Sequence, residues 1–294
     1  MPLPPRRKKK AWAIRISNFE FERRDTFPRL TEMVGGGPFG LQPGQWTDDT
    51  AMALALADSM LETGGIDETD LMDRFLAWRR NGAYSCTGDC FDIGNATNAA
   101  LRRYEATGEL VAGSIGEFDA GNGSLMRLSP VAIRYWRDRT RLHEAAARQS
   151  RTTHASPACV DACIVWADLV ADAIAGIAMP DLLKYDGAGL SPTIAAIVQG
   201  SWRGARRSDI RSTGYVAHSL EASLWCIARS HDFESAILMA ANLGDDADTT
   251  AAITGQLAGA IYGASGIPAR WREQVAWSDR ITDFAERLLV AGDG

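Results

Sequence analysis

Two acidic clusters stand about 200 residues apart, Thr47-Asp48-Asp49-Thr50 and Asp245-Asp246-Ala247-Asp248-Thr249-Thr250. Together they offer five carboxylates and four hydroxyls, with no basic residue inside either group. Oxygen donors of these kinds are what hard divalent cations such as Mg²⁺ or Mn²⁺ take. Asp and Thr are also favoured helix N-caps, where they bond free backbone N–H groups and complement the helix dipole. A single cluster reads most simply as a cap. Two clusters, each with more acid than a cap can use, point to metal binding. Asp246 and Asp248, spaced i, i+2 with Thr249 next, can turn several oxygens toward one centre from a helix-entry turn. If the fold joins the clusters, the product is a two-metal site and the chain is an enzyme.

The elements that must position these groups read as helices. Each cluster runs directly into an Ala-rich stretch, and 51–61 carries Met52, Ala55, Leu56 and Ser59 at three- and four-residue steps. Leu71, Phe75 and Trp78 form one stripe on 66–79. Further helices are predicted over 95–107, 124–136, 142–152, 157–177, 215–229, 233–242, 249–262 and 279–290. Strict two-residue alternation is almost absent, and Gly and Pro fall between the helical stretches, where breakers belong. The fold class expected is all-α, a single compact multi-helix orthogonal bundle without repeats or a Ser- or Gly-rich linker. Two glycine-bearing connections stand out beside the second acidic cluster. The 86–95 segment (CTGDCFDIGN) sets Asp92 and Asn95 around Gly94. Asp119-Ala-Gly-Asn-Gly-Ser124 opens the stretch carrying Arg127, and its small residues and helix-entry N–H groups make a cradle for an anion.

At 294 residues and 46% hydrophobic, the chain can bury a substantial core. A net charge of −6 argues against a broad nucleic-acid-binding surface. The basic run Arg6-Arg7-Lys8-Lys9-Lys10 is the exception and reads as a flexible segment, able to serve as an arm for a protein partner. Five cysteines without a secretory signal fit reduced thiols in a cytoplasm, and no zinc spacing is found. The longest apolar stretch, 162–179, is interrupted by Asp168 and Asp172, so no membrane span is expected.

Gly44-Gln-Trp-Thr-Asp-Asp-Thr-Ala-Met52, Asp119-Ala-Gly-Asn-Gly-Ser124 with Met126-Arg127, and Asn242-Leu-Gly-Asp-Asp-Ala-Asp-Thr-Thr250 together closely resemble the ADP-ribosylglycohydrolase family. The likeness runs from about Phe19 to the C-terminus, so 19–294 reads as one domain preceded by an atypical basic segment, 1–18. The resemblance implies an all-α domain with two Mg²⁺ or Mn²⁺ ions in a cleft that holds ADP-ribose. By motif position Thr47, Asp48 and Asp49 would bind one metal, Asp246 and Thr249 the other, and Asp248 both. Asp92 and Asn95 would lie beside the distal ribose. Gly121, Asn122, Gly123 and Ser124 would wrap the diphosphate, and His154 and Tyr215 would border the pocket. Glu20 aligns with a further metal-ligand Glu, although 1–18 do not match the helix that precedes it in the family. The implied reaction is hydrolysis of ADP-ribose from a modified protein side chain by a metal-activated water, assisted by Glu20, Asp48 or Asp92, with free ADP-ribose as product. Arginine-type and dinitrogenase reductase-activating members favour an N-linked ADP-ribosylarginine substrate. O-linked ADP-ribose (on serine, in O-acetyl-ADP-ribose or in poly-ADP-ribose) is the enzymatic alternative. A non-catalytic ADP-ribose-binding or toxin-neutralising protein, using its N-terminal arm, is the alternative of another class.

Overall fold

The structure, a computed structural model, describes residues 21–116 and 119–292. The basic segment 1–18 and Glu20 lie outside them. The described residues contain α-helices and no strand, as an all-α fold requires. In chain order the helices are α1 (Asp48–Thr63), α2 (Glu68–Asn81), α3 (Asn95–Thr107), α4 (Gly123–Met126), α5 (Ser129–Tyr135), α6 (Arg139–Arg151) and α7 (Pro157–Ala175). They continue as α8 (Met179–Leu182), α9 (Pro192–Val198), α10 (Val216–Arg229), α11 (Phe233–Ala241), α12 (Ala247–Tyr262), α13 (Ala269–Gln274) and α14 (Ser278–Ala291).

α12 runs through the middle of the molecule. It is buried without a break from Ala247 to Ala260, because its Ala, Gly and Thr side chains let α7, α10 and α11 approach closely. A helix buried on every side cannot show an amphipathic stripe, and α12 has none. α7 is the other deeply buried rod, packed against α5, α6 and α12. α1 packs on α2 and α14 and sends Met52, Leu56 and Met60, each fully buried, into the core. Each such side chain contributes roughly 1.5–3 kcal/mol through its burial. The acidic clusters thus sit at the N-termini of α1 and α12, helices whose bodies are held rigidly by apolar packing.

One predicted helix is two. The 124–136 stretch breaks after Met126, and α5 restarts with Pro130 in its first turn. Proline has no N–H to give to the carbonyl four residues back, that of Met126. Gln256 of α12 takes that place, its Nε2 donating to Met126 O at 2.6 Å and to Leu125 O at 3.1 Å. The break turns α4 into a short cap over the cleft instead of the start of a long rod. Sequence periodicity also missed α8, α9 and α13, each too short to display a repeat. Elsewhere the expected boundaries fall within a few residues of those found.

Candidate active site

The fold brings the two acidic clusters together. The Thr47 hydroxyl lies 2.8 Å from Asp49 Oδ2 and 3.5 Å from Asp248 Oδ2, across 201 residues of chain. Thr47, Asp49, Asp248 and Thr249 are all buried, as is Asp48. Helix capping does not account for them. α2, α6 and α11 begin with an Asp whose side chain accepts from a first-turn backbone N–H. α1 and α12 begin with Thr47 and Asp246 at the cap position, and neither side chain caps a backbone N–H of its own helix. Asp246 Oδ2 accepts instead from Asn122 Nδ2 at 2.7 Å, tying the second cluster to the glycine loop. Two helix N-termini therefore meet, with carboxylates gathered where the helix dipoles favour negative charge.

These groups floor a cleft of about 1230 Å³. Asp48, Asp92, Asn95, Gly121, Asn122, Gly123, His154, Asp246 and Thr249 line it, so most of the predicted site residues share one wall. Thr47, Asp49 and Asp248 lie one layer deeper. Ser124 does not face the cleft: fully buried, its hydroxyl is bonded to Ser150 Oγ at 2.8 Å. Tyr215 is not among the residues lining the cleft: its ring stands edge-on to His218, and its backbone is bridged antiparallel to Gly121.

The glycine loop needs its glycines because His154 presses on it. A Cβ at Gly123 would lie 2.8 Å from the ring Cε1 and 3.3 Å from Thr97 Oγ1; one at Gly121 would lie 3.2 Å from Nε2. His154 is held in turn from below. Arg127, fully buried, donates to Gln149 Oε1 at 2.9 Å, Gln149 O at 2.8 Å and Thr153 Oγ1 at 2.8 Å, with its guanidinium over the Phe75 ring. No described carboxylate pairs with it, and burial lowers its pKa to about 9. The Thr153 hydroxyl accepts from Arg127 and shares a hydrogen bond of 2.8 Å with His154 Nδ1, which leaves the Nε2 side of the ring toward the glycines.

Burial, and then the Arg127 charge, push the His154 pKa down to about 3, so the ring is neutral. The unfolded chain protonates this histidine near pH 6.5 and the folded one does not. Stability is therefore complete above about pH 6.5 and falls below it by about 1.4 kcal/mol per pH unit. Urea denaturation between about pH 7 and about pH 5 should show a steeper loss in the wild type than in His154→Asn. Equal slopes would contradict a buried neutral His154.

The turn before α12 is braced from the chain's N-terminal side. Phe21 N donates to Asp245 O and Asp245 N to Glu22 O, both at 2.8 Å. Arg24 clasps the Leu243, Arg207 and Ile210 carbonyls. Gly244 has a φ of +78°, and a Cβ there would lie 2.5 Å from Arg24 N, so only glycine lets the two segments meet. Asp92 and Asp245 adopt left-handed φ values of 59° and 55°. Asp tolerates that region better than most residues, and such conformations gather at functional sites.

The donor chemistry fits hard divalent cations: buried carboxylates and hydroxyls, with neither thiol nor imidazole among them. The described side chains do not close into a preformed cage, since no three His, Cys, Asp or Glu groups among them surround one point. Sequence reasoning passed over Thr97 and Arg103, which also border the cleft, as does Asp245 of the second acidic cluster. Ala96, Ala99, Ala100 and Arg103 follow i, i+3, i+4, i+7 along α3, so they share one face of that helix.

A helical bundle with a deep cleft at two acid-bearing helix N-termini defines a hydrolase-type site for a polar, extended ligand. The ADP-ribosylglycohydrolase family model matches residues 15–294, and the chain belongs to that family. It is 42% identical over 273 residues to an ADP-ribosylarginine hydrolase Tri1 of Pseudomonas putida, covering 93% of this chain and 73% of that protein. It is 32% identical to an ADP-ribosyl-[dinitrogen reductase] glycohydrolase of Rhodospirillum rubrum, covering 82% and 76% respectively. A solved structure titled an ADP-ribosylglycohydrolase-related protein complex superposes with a TM-score of 0.84 at 40% identity, over 94% of this chain and 92% of that one. Among the described residues no helix is long and apolar enough to cross a membrane.

Proposed function

We propose that this enzyme hydrolyses the bond between ADP-ribose and an arginine side chain of a modified protein, releasing ADP-ribose. The observation that carries the arginine linkage is the 42% identity, over nearly the whole chain, to a relative named for that activity. The cleft supports the same reading. It has room for an extended dinucleotide-like ligand, an acidic end suited to sugar hydroxyls, and a glycine loop open to close approach by phosphate oxygens.

In the reaction, water attacks the anomeric carbon as the carbon–nitrogen bond breaks, and positive charge develops on the ribose ring. Asp48 and Asp92, both bordering the cleft, stabilise that charge, and either can take the proton from the attacking water. Asp92 lies on the cleft just before α3, in a left-handed backbone conformation. Asn122 fixes Asp246 while the loop around it closes on the ligand. Mg²⁺ or Mn²⁺ held by Thr47, Asp48 and Asp49 on one side and Asp246, Asp248 and Thr249 on the other would polarise the ribose hydroxyls and the water. Glu20, a third carboxylate candidate from the sequence, lies outside the described residues.

Gly123→Ala should raise KM for the substrate about tenfold or more, because the His154 ring and the loop must move apart; such a displacement near the ligand costs on the order of 1–3 kcal/mol. A variant with unchanged KM would remove the loop from ligand binding. The linkage itself is tested by comparing kcat/KM on matched ADP-ribosylarginine and ADP-ribosylserine peptides. Preference for the arginine conjugate is expected; preference for the serine conjugate would replace this reading with the O-linked one.

A further inference from the structure

We propose that Arg103 is the cation that joins the glycine loop in holding the diphosphate of the ligand and sets which way round the ligand lies; this rests on the ADP-ribose reading above. The charge in the cleft is lopsided. Five carboxylates border it, those of Asp48, Asp92, Asp119, Asp245 and Asp246, while Arg103 is the sole Lys or Arg among its described lining residues. A phosphate group entering such a cleft meets repulsion wherever a cation does not offset it.

Arg103 stands away from the acidic end. It lies on α3 eight residues beyond Asn95, which opens the helix next to Asp92. At 1.5 Å per residue that places it about 12 Å further along the helix axis. Ala96, Ala99 and Ala100 occupy the same face between the two positions, so no bulky side chain stands between the acidic end and the guanidinium. The stem is not loose. Arg103 Nη1 donates to the Ala112 carbonyl on the facing loop, which orients the planar group. It forms no ion pair among the described residues. Asp119, the acid on that loop, is engaged by the Ser114 hydroxyl at 2.6 Å. A guanidinium with one fixed N–H and the rest turned to a cleft matches phosphate oxygens in a forked, charge-assisted arrangement.

Two ends of opposite character follow. Sugar hydroxyls at the scissile bond go to the acidic end, and the phosphates extend along the alanine face toward Arg103. A neutral nucleoside has no reason to notice the arginine.

Titration calorimetry on the full chain with ADP-ribose and, separately, with adenosine tests this. Arg103→Met, which keeps the stem, should weaken ADP-ribose about ten- to hundredfold while leaving adenosine within about twofold. Arg103→Lys should recover part of the loss, and added salt should weaken ADP-ribose binding more in the wild type than in Arg103→Met. ADP-ribose bound equally well by wild type and Arg103→Met would overturn the assignment, as would equal losses for both ligands, which would mark a structural role. A wild-type protein that does not bind ADP-ribose at all would instead overturn the functional reading itself.

Discussion

Asp248→Asn should lose bound Mg²⁺ or Mn²⁺ and lose turnover together, with kcat/KM falling about a thousandfold or more, equivalent to about 4 kcal/mol of transition-state stabilisation. The substitution preserves size in a site with no room to spare, since Asp248 is 1% exposed. It changes chemistry alone. One carboxylate oxygen becomes an amide nitrogen, which donates where the site is built to accept, beside the Thr47 hydroxyl and across from Asp49. The helix should survive, because Asp248 sits inside the first turn of α12 and is not its cap. Metal analysis and release of ADP-ribose from a modified arginine substrate read the effect, with the circular dichroism melt as the folding control. A folded Asp248→Asn protein with full metal content and normal turnover would defeat the assignment of this carboxylate.

Arg127→Ala should produce the largest loss of stability, about 3–5 kcal/mol, from a cavity in the core and from Gln149 and Thr153 acceptors left without their donor. A chain of this size should melt roughly 10 °C lower. Arg127→Met should be milder. It fills most of the volume over Phe75 and removes a buried charge that has no described carboxylate beside it. Both variants release the Thr153 hydroxyl, so both should disturb His154 and weaken ligand binding even where the protein stays folded. Thermal melts of the two variants decide the matter; a melting point unchanged in Arg127→Ala would show that the network contributes little.

The acidic clusters were legible in the sequence because each is a local run with more carboxylates than a helix start uses. What the structure adds is the means of telling the two readings apart: Asp67, Asp138 and Asp232 cap their helices, whereas Thr47 and Asp246 do not. Helix positions were legible wherever the helix runs for several turns between Gly or Pro breakers. The 124–136 break was not, because the compensation for Pro130 comes from Gln256, more than a hundred residues away. Arg103 escaped for a similar reason. Its neighbours on α3 are alanines, and nothing local says whether such a face meets the core or a cleft. Ser124, read from its motif as a ligand contact, is turned inward by Ser150. Motifs report which segments meet; long-range packing decides which atoms face the ligand.

The measurement that bears most directly on the account is release of free ADP-ribose from a protein carrying ADP-ribosylated arginine. It should be followed with Mg²⁺ or Mn²⁺ and again with EDTA. Multiple-turnover release that stops in EDTA and returns when the metal is restored is the expected result. Tight binding of ADP-ribose with no release under either condition would contradict it, and would make the chain a binding protein built on a hydrolase fold.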